Sequence, residues 1–442
     1  MYVLCISYIY SLFRIHSLGD AILSAKIIKD RAFEVIDRES SNVIKLLIDM
    51  ISIPTVSPEG DNYIEFSKLV AEFLSSYGIS SEIHRIPLEY TDPRLPDVGK
   101  GKPRYVVIAR ISDPGEVLIH FNGHYDVVSG GIGWRVTEPF KPRIVGSRIY
   151  GRGSSDMKGG IASIILSMIA LQRFAETLGH GVEAFLVPDE EIGGETGTQY
   201  IVENNMVRGR YVIIAEPTGL ERIYIGQKGR IRGLVIVRGR SAHGASPWLG
   251  VNAFEKASRL AVKMFDELVP KIESKRSKYR YDYEEASKAT LMIGGLLRGG
   301  DKINQVPGEV IFSLDRRLIV EENVDEAWNE IKVYVESVAR SMGIDLDLKL
   351  ILAQNPAIAN ENSRIFAAIE ASSAEVAGIM PDKVVCYNGL DMIYYLQRGY
   401  EAATYGPGGY GTPHAPDEYI EIGDILKASK IYVETYFRFM KG

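Results

Sequence analysis

The sequence predicts an α/β protein into which a second, smaller domain is inserted. In residues 21–227, and again in 355–442, near-continuous Val, Ile and Leu runs alternate with helical stretches. This pattern is typical of a sheet covered by helices on both faces. Between 228 and 354 the order of elements changes to βαββαβ, which is that of a ferredoxin-like unit. Residues 1–20 precede both as an extension of unknown role.

The elements of the larger domain follow from the periodicity of the apolar residues. Amphipathic stretches predict helices around residues 21–51 and 62–77. Apolar runs predict four strands, "PRYVVIAR", "GEVLIHFNGHYDVV", "VEAFLVPDEE" and "GRYVIIAEPT". A helix that starts at Gly160 lies between the second and third of these strands. After the insertion we predict a helix in "NSRIFAAIEASSAEVAG" and a strand and turn in "YEAATYGPGG".

The elements of the inserted domain are equally regular. "RIRGLVIVRG" is the first strand and "NAFEKASRLAVKMFDELV" the first helix. "KATLMIGGLL" and "GEVIFSLDRRLI" are the next two strands, "NVDEAWNEIKVYVESVARSMG" is the second helix, and "DLDLKLILAQ" is the last strand. Such a sheet has an exposed edge, which favours pairing between two copies of the chain.

The composition excludes several classes of protein. With 442 residues and 46% hydrophobic residues, the chain is long enough for more than one domain. Its net charge is −6, and Lys and Arg form no dense cluster, so we expect no nucleic-acid partner. Two cysteines, Cys5 and Cys386, cannot form a disulfide framework, so we expect a cytoplasmic protein.

We expect no membrane partner either. The N-terminal run "MYVLCISYIYSLF" has the length of a signal peptide, but no basic residue precedes it and no small-residue cleavage site follows. It is too short to span a bilayer. The run "GGIASIILSMIALQRF" is also short, and Asp156 and Lys158 lie at its start, so we interpret it as a helix buried against the sheet.

Polar residues collect just beyond the ends of the predicted strands. Functional groups of open α/β sheets lie at the carboxyl ends of the strands, so these residues should share one edge although they are distant in sequence. The group comprises His124, Asp126, Glu190, Glu191, Glu216 and His414, together with Asp156 at the start of a helix.

Two histidines and several carboxylates without cysteine form a ligand set that suits Zn²⁺, Co²⁺ or Mn²⁺. So many carboxylates in one pocket would be unfavourable without cations. Two divalent ions would offset the charge, and a carboxylate is able to bridge them, for which Asp156 is the candidate. One of the adjacent Glu190 and Glu191 would bind an ion, and the other would accept a proton from the attacking water.

Each motif alone has a plainer explanation. An acidic run before two glycines is usually a solvated turn, and a His-x-Asp pair is more often an ordinary surface pair. "GRGSSD" resembles a truncated phosphate loop but lacks the third glycine of the dinucleotide motif. The ordered combination of the motifs at strand ends is what favours the metal site.

The motifs also resemble a known family. In order, "GHYDVV", "GRGSSDMKGG", "PDEEIGG", "AEPT", "SAHGASPWLGVNA", "INQVP", "DRR" and "GPGGYGTPHAPDE" are similar to the acetylornithine deacetylase, succinyl-diaminopimelate desuccinylase and aminoacylase family. Its members are dinuclear zinc amidohydrolases and carboxypeptidases. The resemblance covers residues 40–442 and implies a zinc-peptidase-like α/β/α catalytic domain with an inserted lid and dimerisation domain.

The resemblance implies a role for each residue at the strand ends. His124 and Glu216 would bind one ion, Glu191 and His414 the other, and Asp156 would bridge them. Asp126 would orient the His124 ring. Glu190 would be the general base that takes a proton from water and passes it to the leaving amine.

The resemblance also implies roles within the inserted domain. His243 would reach the active site of the partner subunit in a homodimer and stabilise the oxyanion. Asn304, Arg317 and Gly389 would contact the substrate, with Arg317 holding a carboxylate and Arg316 facing the other side of its strand. The stretch "NGLDM" has Leu390 where the family usually has threonine, which leaves the acyl specificity open.

Three hypotheses about function follow. In the first, the protein hydrolyses the amide of an N-acyl amino acid such as acetylornithine, acetyl-lysine or succinyl-diaminopimelate. In the second, the same centre cleaves peptides, as in a carboxypeptidase or dipeptidase. In the third, the protein is a metal-free binding protein on the same fold. The third predicts the loss of ligands or base, and the sequence retains all of them.

Overall fold

The computed structural model of the protein describes residues 2–111, 116–409 and 413–440, with side chains from Lys26 onward. Two compact units make up the chain. The first comprises Met1–Ile223, Ala359–Asp382 and Tyr394–Gly442, and the second comprises Tyr224–Ile358 and Lys383–Ile393. The domain boundaries proposed from the sequence stay a prediction.

The helices and strands are numbered along the chain. The helices are α1 Tyr2–Ser52, α2 Tyr63–Ser76, α3 Leu88–Thr91, α4 Gly159–Gln172, α5 Thr198–Glu203, α6 Ala253–Lys263, α7 Val269–Glu273, α8 Val324–Met342, α9 Arg364–Ala377, α10 Met392–Gln397 and α11 Ile422–Met440. The strands are β1 Ser80–Ile86, β2 Arg104–Ile111, β3 Val117–His124, β4 Arg143–Val145, β5 Arg148–Tyr150, β6 Gly181–Val187, β7 Tyr211–Ile214, β8 Arg222–Gln227, β9 Gly229–Arg238, β10 Ala242–His243, β11 Thr290–Gly299, β12 Gln305–Val306, β13 Glu309–Leu318, β14 Asp345–Gln354, β15 Ala357–Ile358, β16 Asp382–Cys386, β17 Glu401–Thr404 and β18 Tyr419–Glu421.

The first unit is built on a mixed sheet in which the strands lie in the order β1-β2-β6-β3-β7-β17. Strands β6, β3, β7 and β17 run parallel, whereas β1 and β2 pair antiparallel at one side. Every residue of β3 and of β6 is buried, which explains why their sequences are mainly apolar on both faces, although β3 also contains His120 and Asn122 and β6 contains Glu183. The sequence missed β1 because its residues are mostly polar and partly exposed.

Helices α1, α4 and α11 pack against one another in this unit. Helix α1 is longer than the predicted stretch 21–51, since it already begins at Tyr2. Within the described chain, Ser154–Gln172 is the single helical segment whose length and apolar composition would suffice to cross a membrane. Of its most apolar window, 94% is buried inside the protein, as expected of a core helix.

The start of α4 lies very close to the end of β7. A Cβ atom added to Gly160 would lie 2.1 Å from the carbonyl oxygen of Ala215, so only glycine allows this approach. Because Ala215 immediately precedes Glu216, the contact places the turn that carries Asp156 beside the end of β7. A tight packing contact in the core therefore sets the position of two candidate ligands.

The second unit contains an antiparallel sheet in the order β11-β13-β9-β14, with α6 and α8 packed on it. Along the chain these elements follow the order βαββαβ. The first predicted helix is divided, because α6 ends at Lys263 and a wide helical turn over Met264–Leu268 leads into α7. Strand β14 has the predicted bounds, and β10 pairs with β12 in a short ribbon.

Candidate metal centre

Three neighbouring parallel strands bring the first group of polar side chains together. Strand β3 lies between β6 and β7, and its last residue, His124, is in register with Val187 at the end of β6. After β6 the chain forms a single helical turn over Glu190–Ile192. Glu216 lies two residues after the end of β7. The carboxyl ends of parallel strands meet at one edge, so residues far apart in sequence become neighbours.

Asp156 occupies the centre of the cluster. Its Oδ1 lies 3.0 Å from Nε2 of His124, and its Oδ2 lies 3.5 Å from Nε2 of His414. The Nε2 atom of His124 is also 3.5 Å from Oε1 of Glu216, and Nε2 of His414 is 2.9 Å from Oε2 of Glu191. The five residues thus form two groups of donors that share one carboxylate.

The distances also allow Glu190, and not only Glu191, to be a metal ligand. Ligand atoms of His124, Glu190 and Glu216 lie within 4.8 Å of one another, and so do those of His124, Asp156 and Glu191. Glu190 is therefore near enough to act either as a ligand or as a base. Its assignment as the base stays a prediction.

The charges of the cluster shift its pKa values strongly. Burial alone would lower the pKa of His124, but the negative charge of Glu216 and hydrogen bonds to Asp126 and Asp156 outweigh burial, and the pKa is raised well above its usual value. Hydrogen bonds to Asp156 and Glu191 raise the pKa of His414 to about 10. Burial and the charge of Asp156 raise the pKa of Glu191 to about 7. The carboxylates thus attract positive charge, which is the electrostatic requirement of a cation site.

Asp126 has a further role that the sequence did not predict. Its carboxylate is fully buried and accepts hydrogen bonds from the backbone N–H groups of Glu190 and Glu191, at 3.0 and 3.2 Å. The Nδ1 atom of His124 lies 3.0 Å from the main-chain oxygen of Asp126 and 3.5 Å from its Oδ1. The main chain of Asp126 therefore orients the ring at least as closely as its carboxylate, which mainly holds the two glutamates in place.

A buried ion pair supports the same turn from the other side. Asp189 has a left-handed backbone, with φ at 64°, and its carboxylate accepts hydrogen bonds from Arg104, Tyr63 and Thr196. Arg104 Nε lies 2.6 Å from Asp189 Oδ2, and both side chains are completely buried. The sequence offered no signal for this pairing, because 85 residues separate the partners.

The remaining predicted residues belong to the second unit. His243 lies in β10 opposite Gln305, it is exposed, and its Nδ1 accepts a hydrogen bond from the N–H of Ala245 at 3.1 Å. Asn304 is exposed beside the same ribbon, and its main-chain oxygen accepts a hydrogen bond from Gly244. Arg317 is one-third exposed and pairs with Asp315. Gly389 lies in a loop where an added Cβ would approach Arg230 no closer than 3.8 Å.

Comparison with known proteins shows what the sequence of the chain is similar to. The model of peptidase family M20/M25/M40 matches residues 120–438. An uncharacterised metallohydrolase from Methanocaldococcus jannaschii is 26% identical over 420 residues, which cover 88% of this chain and 98% of that protein. A succinyl-diaminopimelate desuccinylase from Nitratiruptor is 26% identical over 399 residues, 89% of this chain and 98% of that protein.

Solved structures agree with the fold. An M20 family metallo-carboxypeptidase from Sulfolobus solfataricus has a TM-score of 0.68 and 21% sequence identity. The match covers 89% of this chain and 98% of that structure. At this identity the likeness concerns the fold alone.

Metal binding should release protons. His414 and Glu191 must both be deprotonated to bind an ion, but without one their pKa values are about 10 and about 7. We therefore expect the affinity for Zn²⁺ or Co²⁺ to rise with pH up to about 10, and more steeply below about 7, where both groups carry a proton. Calorimetry in buffers of different ionisation enthalpy measures the released protons, and an affinity independent of pH would contradict this arrangement.

Proposed function

We propose that the chain, which belongs to peptidase family M20/M25/M40 and is a metal-dependent hydrolase of amide bonds, cleaves N-acyl amino acids of the acetylated or succinylated type. The substrates that we propose as examples are acetylornithine, acetyl-lysine and succinyl-diaminopimelate. The succinyl-diaminopimelate desuccinylases among the relatives match nearly the whole chain, which supports the succinylated type. We place the reaction in the cytoplasm.

One observation carries this proposal. Asp156 presents one carboxylate oxygen to His124 and the other to His414, and each histidine has a further carboxylate neighbour. His124 and Glu216 would hold one divalent ion, Glu191 and His414 a second, and Asp156 would contact both. The donors fit such ions, because imidazole and carboxylate without thiolate suit Zn²⁺ first, and also Co²⁺ or Mn²⁺.

The ions supply the electrophilic part of the chemistry, since bound divalent cations polarise an amide carbonyl and lower the pKa of the attacking water. The chain supplies the proton transfers. The Glu190 carboxylate accepts a proton from the attacking water as the C–O bond forms. It then gives the proton to the nitrogen as the C–N bond breaks, so that a carboxylic acid and an amine are released. Asp126 holds the backbone of Glu190 in place during both transfers.

Residues of the second unit would bind the substrate and complete the site. Arg317 would hold a substrate carboxylate in a bidentate pair, with Asn304 and Gly389 as further contacts. His243 would donate a hydrogen bond to the carbonyl oxygen as negative charge develops on it. We assign His243 to the site of a second copy in a homodimer. The exposed apolar side chains Met292 and Leu297 on edge strand β11 support such pairing.

A hydrolysis panel tests the proposed function. The purified protein should release amine from acetylornithine, acetyl-lysine or succinyl-diaminopimelate, lose this activity in a strong chelator, and regain it with Zn²⁺ or Co²⁺. Dipeptides and C-terminally extended peptides form the second arm of the panel. Faster cleavage of peptides would replace the deacylase with an exopeptidase, and full turnover by verified metal-free protein would contradict the metal centre itself.

Substituting the two adjacent glutamates separates their roles. Glu190→Gln should keep both ions and lose most of the turnover, because an amide cannot accept the proton. Glu191→Gln should instead lose one ion. Removing a general base typically slows a reaction by about 10²–10⁴-fold. Metal counting by mass spectrometry beside kcat measurement checks both variants, and the reversed pattern would exchange the two assignments.

Mixed dimers test the position of His243. A His243→Ala chain and a Glu190→Gln chain should each be nearly inactive, since losing one oxyanion donor costs about 10²–10³-fold. After subunit exchange, one of the two sites in each heterodimer has both groups, so each heterodimer should have about half of the activity of a wild-type dimer. Native mass spectrometry confirms the exchange. If exchange occurs without recovery, His243 does not act across the dimer.

A further inference from the structure

We propose that Glu418 and Arg152 form a buried pair that positions Asp156 relative to His414, and that this pair sets how tightly the two ions are held. This inference rests on the proposed metal centre. Neither residue contacts an ion in the proposal, so both would act as positioning residues. Their contacts join the turn before α4 to the loop after β17.

The Glu418 carboxylate accepts hydrogen bonds from the backbone of the turn that carries Asp156, and we call Glu418 and Arg152 with these contacts the clamp. Its Oε1 accepts hydrogen bonds from the N–H groups of Ser155 and Asp156, at 2.9 and 3.1 Å. Its Oε2 accepts from the N–H of Gly153 at 3.1 Å and from Arg152 Nη1 at 2.6 Å. The turn over these residues is not a regular α-helix, so its N–H groups need partners from elsewhere in the chain.

Arg152 extends this clamp to the second loop. Its Nη2 donates to the main-chain oxygen of His414 at 3.2 Å, and its Nε donates to the main-chain oxygen of Ser129 at 3.3 Å. The planar guanidinium therefore spans Glu418, His414 and Ser129 with three different nitrogen atoms, which a lysine could not do. Arg152 and Glu418 are almost completely buried, so solvent screens their interaction little.

His414 depends on this support more than the other candidate ligands. Its side chain is 53% exposed, whereas that of His124 is 1% exposed. Packing thus fixes the ring of His124, whereas the more exposed His414 ring contacts Glu191 and Asp156 through its Nε2 atom. The hydrogen bond from Arg152 to the main chain of His414 therefore adds a backbone contact to those of the ring, and helps to set the distance between the His414 loop and Asp156.

A glutamine at position 418 would break the clamp without changing its size. The amide oxygen can accept from two donors, but the amide nitrogen would then face N–H groups that also donate. The turn would lose part of its hydrogen bonding, and the Arg152 guanidinium would lose its counter-charge. The expected effect is a displaced Asp156, which both ions would share.

The test compares Glu418 with Glu183, two buried carboxylates that each accept hydrogen bonds from backbone N–H groups. Glu183 is the matched control, because it is fully buried and accepts from the N–H groups of Arg208 and Gly209. Its ion-pair partners in the described part of the chain are His120 on β3 and Arg110 on β2, which lie outside the loops of the candidate ligands. The full-length Co²⁺-loaded proteins are titrated with a competing chelator while the Co²⁺ d–d absorption is recorded. Glu418→Gln should bind Co²⁺ about 10- to 100-fold more weakly with a changed spectrum, as loss of outer partners of a metal site does.

The control variant separates positioning from general stability. Glu183→Gln should unfold at a lower temperature but keep the Co²⁺ affinity and spectrum of the wild type. Wild-type affinity and spectrum in Glu418→Gln would overturn the inference, as would an equal loss in both variants. If the wild-type protein itself binds no Co²⁺, the proposed function fails, and that outcome is distinct from the first.

Two further measurements apply if Glu418→Gln does not fold. Arg152→Lys keeps a cation beside Glu418 but cannot reach His414 and Ser129 together, so it should also weaken Co²⁺ binding. In the wild-type protein, amide hydrogen exchange at Gly153, Ser155 and Asp156 should be slow, both with and without the ion, because the clamp does not need it. Fast exchange at these amides, or wild-type affinity in Arg152→Lys, would overturn the proposal.

Discussion

The crowding of carboxylates at one edge of the sheet is the constraint on which the rest of the first unit depends. Like charges this close, and largely out of water, would repel strongly and raise one another's pKa values. The carboxylates concerned are Asp126, Asp156, Asp189, Glu190, Glu191, Glu216 and Glu418. The fold tolerates them because each of the buried ones has a defined partner, and these partners are of three kinds.

The first kind of partner is the backbone. Asp126 and Glu418 each accept hydrogen bonds from two or more N–H groups of irregular segments, which gives those groups the partners that regular structure would otherwise supply. The second kind is arginine, which neutralises Asp189 and Glu418. The third kind is histidine, and the acids with histidine partners are Asp156, Glu191 and Glu216. Acids of the first two kinds position the loops, whereas acids of the third kind form the candidate cation site.

The second unit shows the same separation of support and function on a single strand. Arg316 and Arg317 are neighbours on β13, so their side chains point to opposite faces of the sheet. Arg316 is fully buried between Glu322 and Glu330, where it stabilises the packing of α8. Arg317 is partly exposed, and its local partner, Asp315, leaves part of the guanidinium accessible. This alternation supports the proposal that only Arg317 is available to a substrate.

The sequence by itself determined the α/β class, half of the described strands and the residue types of the candidate site, because these depend on local periodicity and on which groups follow a strand. It also determined the family, through eight short motifs in order. It did not predict β1, because the residues of this strand are mostly polar and show no apolar pattern. It also did not predict the wide turn that divides the helix after α6. Only the tertiary structure decided that Asp126 holds the backbone of Glu190 and Glu191, and that Arg104 and Arg152 neutralise Asp189 and Glu418. Those contacts join segments that are distant along the chain, and buried charges select their partners by position in space, which no local pattern of the sequence encodes.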